Sequence, residues 1–178
     1  LNTTILSTQV FAVFDPYAEG VNLNETGKWE MSNVSGLNDS SNYTIHNLTN
    51  NGLGFAQDTI GNVTITKAVN TEGELDYASG TFSDFPCTNG CSVAVWFKIT
   101  GTKYSTFLES GNGFGAGWLY GTGTGADKRL GICDGAPMGT APPTGVWVHA
   151  VGIVNITNAA RELWINGKLN GTGTAFTP

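Results

Sequence analysis

The feature that most constrains this fold is the way its apolar residues are cut up. They come in short runs of β-branched and aromatic residues separated by Gly, Asn, Pro and Asp, and no stretch holds a helical apolar period for long. These runs predict strands at Gln9–Phe14, Asn62–Val69, Ser92–Thr100, Tyr104–Ser110, Gly117–Tyr120, Arg129–Cys133, Val146–Val154 and Arg161–Ile165. Within Ser92–Thr100, Val93, Val95, Phe97 and Ile99 point one way, and Ser92, Ala94, Trp96, Lys98 and Thr100 the other. The first face builds a core; the second is only partly wet. Val146–Val154 is apolar on both faces, as expected of a central strand covered on both sides. Asn166-Gly167 accepts positive φ at both corners of a type I′ turn, so Arg161–Lys168 reads as a hairpin. Together these signals predict an all-β fold, a sandwich of two antiparallel sheets.

The length of 178 residues suits one domain spanning 1–178, and 40% apolar residues are enough for a globular core. Within it, residues 1–14 read as an N-terminal arm. Residues 21–51, rich in Asn, Ser and Thr, read as a long loop or a small excursion on the sandwich. Only 12% of residues are charged, about half the usual share, so the surface is polar but nearly uncharged. A net charge of −6 argues against nucleic acid, because phosphate binding needs clustered Lys and Arg. No apolar run is long enough to span a membrane as a helix. The chain opens at Leu1 without Met, which reads as a processed or trimmed product.

Nine Asn-x-Ser/Thr sequons occur, at Asn2, Asn24, Asn33, Asn38, Asn42, Asn47, Asn62, Asn155 and Asn170. Each sets an acceptor amide beside a hydroxyl, the pattern a glycosyltransferase reads. Their density predicts an extracellular or cell-surface glycoprotein. Cys87 and Cys91 bracket the turn-forming Thr88-Asn89-Gly90. A disulfide between them would lock a tight turn in an oxidising exterior; the alternative is two reduced thiols in a loop. Cys133 reads as a small buried hydrophobe rather than an intermolecular link. No second Cys/His pair completes a zinc site.

Three local patterns between Cys91 and Gly171 resemble a laminin-G-like module of the concanavalin-A-like jelly-roll class. They are Ser92-Val-Ala-Val-Trp96-Phe97-Lys98-Ile99, Gly145-Val-Trp147-Val-His149-Ala150-Val151 and the hairpin Arg161-Glu-Leu-Trp164-Ile165-Asn166-Gly167-Lys168. The resemblance implies two antiparallel sheets packed face to face with a rim of loops. It also implies calcium as the most plausible ion, held at the rim by oxygen ligands, with Asp76, Asp84, Asp127 and Asp134 as loop-edge candidates. No cofactor is otherwise required. The family usually continues past the Asn-Gly hairpin, whereas this chain ends at Pro178. Either the sequence is a fragment, or a strand from a neighbouring subunit, supplied by the arm 1–14, completes the sandwich. The competing expectation pairs the arm within its own domain.

Catalytic chemistry is thin. Glu74-Leu75-Asp76 begins the Glu-x-Asp-x-x-Glu pattern of related glucanases, but no third carboxylate follows, so the pair reads as exposed and no enzyme is expected. His149 has no nucleophile elbow nearby and reads as a core histidine donating to a carbonyl; His46 lies in the Asn-rich loop without a recognisable partner. Residues 111–127 carry seven glycines around Phe114, Trp118 and Tyr120, without the register of a phosphate loop. Trp118 and Tyr120 are the candidate sugar-stacking pair, while Trp147 and Trp164 read as packing. The function expected is a non-catalytic extracellular recognition or adhesion module binding glycan or protein at its loop rims. The alternative is a structural subunit of a glycosylated filament or surface layer, with identical subunits as partners.

Overall fold

A computed structural model describes residues 2–6, 10–11, 47–69, 77–81, 90–99, 105–111, 117–121, 129–131, 139–155 and 158–174. Among these the regular structure is all strand. A five-stranded sheet is built from β2 (Val10–Phe11), β7 (Gly90–Phe97), β11 (Val148–Asn155), β12 (Ala160–Ile165) and β13 (Lys168–Thr174), in the order β13-β12-β11-β7-β2. A six-stranded sheet contains β1 (Asn2–Leu6), β3 (Thr49–Asn51), β6 (Tyr77–Thr81), β8 (Ser105–Gly111), β9 (Gly117–Gly121) and β10 (Leu130–Gly131), in the order β10-β9-β8-β1-β6-β3. The hairpin of β4 (Gly54–Ile60) and β5 (Val63–Val69) forms a separate two-stranded ribbon. Every paired ladder is antiparallel. The chain is an all-β sandwich, as its punctuation predicts.

The core follows from the two-residue period. Along β11, Val148, Ala150, Gly152 and Val154 are buried, while His149, Val151, Ile153 and Asn155 between them are half-buried. The register carries this inner row across the sheet: Val148 faces Phe97, Ala150 faces Val95, and Gly152 faces Leu163. Phe97, Val148, Leu163 and Leu130, the last from the other sheet, are fully enclosed. β11 is therefore central, fully covered on one side and partly on the other. The β12–β13 connection is the expected type I′ turn, with φ of 49° at Asn166 and 75° at Gly167. Asn166 also closes the end of β11: its N–H donates to the His149 carbonyl (2.8 Å) and its Oδ1 accepts from the His149 N–H (2.9 Å).

Several strands exceed the sequence reading. β1 lies between β6 and β8 in the sheet of its own chain, with Asn2 opposite Thr81 on one side and Gly111 on the other. β2 then pairs with the edge of β7, Val10 opposite Phe97. The arm thus contributes to both sheets. Thr49–Asn51, inside the stretch expected to be loop, pairs with β6. The β4–β5 ribbon is tied to the sandwich by an ion pair, Lys98 Nζ to Asp58 Oδ2 at 2.9 Å, both side chains about four-fifths shielded.

Candidate functional site

The outward face of the five-stranded sheet gathers the described chemistry. Its side chains are those out of phase with the core. Leu163 is enclosed, so Glu162 and Trp164 on either side of it turn outward. Val95 and Phe97 are buried, so Ala94 and Trp96 do the same. The ladders set these residues in rows. One row pairs Trp96 with His149, their rings 5.0 Å apart between centroids and tilted by 32°. The next runs from Ala94 through Val151 and Trp164 to Leu169, which is 50% exposed. A third runs from Ser92 through Ile153 and Glu162 to Thr172.

The face is therefore graded, aromatic and aliphatic towards the Asn166-Gly167 turn and polar towards the other end. Trp164 joins the two regions. Its indole Nε1–H donates to Glu162 Oε2 at 2.9 Å, a partly buried bond that fixes the ring on the sheet. The remaining acceptor capacity of the Glu162 carboxylate lies beside the ring, with the exposed Ser92 and Thr172 in the same cross-strand row. An aromatic surface bordered by acceptors and hydroxyls suits a flat ligand with an apolar face and a polar edge.

Trp96 lies on the outward face, as the alternation of its strand predicts, whereas Trp164, expected from its motif to pack in the core, turns outward as well. His149 was expected in the core; it faces the opposite way, against Trp96. Strict alternation with Val148 and Ala150 forces this, and that signal was legible in the chain. Trp147 is half-buried beside it. Trp118 and Tyr120 belong to β9 in the six-stranded sheet, on a different layer from this face. Asp76, Asp84, Asp127, Asp134, Glu74, His46, Cys87, Cys133, Asn24, Asn33, Asn38 and Asn42 lie outside the described residues. Asn2 lies in β1 and Cys91 in β7. Among the described residues no three His, Cys, Asp or Glu side chains converge as a metal site would require. No helix among them is long and apolar enough to cross a membrane.

A family model described as the concanavalin A-like lectin/glucanases superfamily, of laminin G type, matches residues 71–178. Neither a curated protein nor a solved structure matches the chain. The matched span takes in β6 to β13, hence most of the face just described and the hairpin that closes it. By this match and by its antiparallel two-sheet fold, the chain belongs to the concanavalin A-like lectin/glucanase superfamily.

Proposed function

We propose that this chain is a non-catalytic extracellular recognition module that binds carbohydrate on the outward face of its five-stranded sheet. The observation that carries the reading is Trp164, held in place by Glu162 between Val151 and Leu169. A pyranose offers a C–H face to an indole and hydroxyls to the carboxylate and hydroxyl groups beside it. Membership of a superfamily that includes lectins and the density of sequons both support an extracellular binding role.

A glycan array tests the proposal on the wild type and on Trp164→Ala and Trp118→Ala variants, each with and without EDTA. The expected result is binding that survives EDTA and Trp118→Ala and falls roughly fivefold or more in Trp164→Ala, as the loss of a stacked ring worth ~1 kcal/mol or more requires. Binding that ignores Trp164→Ala but disappears with EDTA or Trp118→Ala would move the site to a rim.

A further inference from the structure

The sequons whose side chains are described are not equivalent. Asn62 is exposed at the tip of the β4–β5 hairpin, in a two-residue turn between the paired Ile60 and Val63. Gly61 supplies the positive φ of 57° at the first corner. Val63 is 62% exposed and Thr64, the sequon hydroxyl, is exposed as well. A transferase can reach the Asn62 amide without disturbing a core contact.

Asn170 is different. From β13 its carboxamide reaches residue 140, thirty positions away in sequence. Oδ1 accepts the Thr140 N–H at 2.7 Å, and Nδ2 donates to the Thr140 carbonyl at 3.2 Å. The Thr140 hydroxyl lies 3.4 Å from the same Oδ1. The amide uses both its groups against one backbone residue, as a strand partner would. Gly139, with φ of 61°, has no room for a side chain, because a Cβ there would run into Asn170 Oδ1 and the Asn170 carbonyl. The clamp and the glycine fit one another.

We infer that the Asn170 sequon is a structural clamp that stays unglycosylated in the folded protein, and that Asn62 is an occupied acceptor. In the transfer, Asn62 Nδ2 bonds to the sugar C1 of a lipid-pyrophosphate-linked oligosaccharide. The C1–O bond breaks, the lipid pyrophosphate leaves with the electron pair, and one Nδ2 proton goes to base. The product is a secondary amide, and its trans geometry puts C1 on the same side of the C–N bond as the amide oxygen. At Asn170 that is the side on which the N–H meets Thr140. A sugar would occupy the carbonyl's place, and the remaining N–H would point away from it.

The experiment uses the full chain, secreted from a host that glycosylates Asn-x-Ser/Thr, with occupancy mapped by peptide mass spectrometry. Most molecules should carry a glycan at Asn62 and few or none at Asn170. A glycan on Asn170 in folded, secreted protein overturns the clamp, and a bare Asn62 beside other occupied sequons overturns its assignment. Two variants separate sequence signal from structure. Thr172→Val abolishes the sequon at an exposed position and should leave the melting temperature unchanged. Asn170→Gln abolishes the sequon and the clamp together and should lower it by about 2–4 °C. Equal melting temperatures for both variants and the wild type would contradict the clamp.

Discussion

Asn50, Asn166 and Asn170 each present a carboxamide to a stretch of backbone. A carboxamide carries the same donor and acceptor as a peptide group, so it can replace a missing strand neighbour where the chain turns away. Asn50 does so locally: Oδ1 accepts from the Leu53 N–H (2.8 Å) and Nδ2 donates to its carbonyl (3.1 Å), closing the turn ahead of the buried Leu53. Asn155 Oδ1 likewise accepts from the Asn158 N–H at 3.0 Å. Part of the asparagine content thus serves the fold, and sequons in such a chain need not all be glycan sites. Asn50→Ala should cost about 1–2 kcal/mol in urea denaturation, since two partly buried bonds are lost. A loss below a few tenths of a kcal/mol would mean water replaces the amide freely. In the core, Phe97→Ala should cost about 3–5 kcal/mol, whereas Val63→Ala at the exposed hairpin should stay within about 0.5 kcal/mol.

At the scale of elements, legibility follows burial. β7 alternates because one face is in the core, and the period exposes it in the sequence, whereas β11 stands out as a run apolar on both faces because its outward side is half-covered too. β12 and β13 are joined by the dipeptide that suits their turn. β1, β3, β4 and β6 leave no strand signal in the sequence, because their residues are largely Asn, Thr, Ser, Gly and Gln, which show little apolar pattern. These strands exist because neighbouring ladders satisfy their backbone groups, a long-range cause that local propensity does not record. The outward face was half legible. Trp96 was assigned to it by alternation, but the direction of Trp164 needed the register of Leu163 against Gly152. The Trp164–Glu162 bond, between residues two apart on one strand, was within reach of the same period. The ribbon's ion pair belongs to this scale too. A double-mutant cycle of Asp58→Asn and Lys98→Met should give a coupling of roughly 1 kcal/mol or less, because both groups keep some solvent. A coupling of several kcal/mol would require a drier site than this one.

At the scale of the whole molecule, the arm is the decisive segment. It pairs β1 between β6 and β8, then crosses to pair β2 with β7, so it joins both sheets. Deleting residues 1–14 opens the six-stranded sheet at an interior position and removes three ladders, those of β1 with β6 and β8 and of β2 with β7. The expected outcome is loss of the cooperative unfolding transition of the monomer, followed by differential scanning calorimetry. A truncated chain that stays folded and recovers order when an arm peptide is added would instead favour exchange of this strand between subunits, the assembly reading.

The ring of Trp164 is the most direct reporter of binding on the outward face. Its indole N–H gives a separate resonance in a nitrogen-edited NMR spectrum. Titration with an oligosaccharide selected on the array should shift that resonance together with the backbone signals of Val151, Glu162 and Leu169, and Glu162→Gln should weaken the binding. Saturable binding that leaves these signals unmoved, or cleavage of the oligosaccharide during the titration, would contradict non-catalytic recognition on this face.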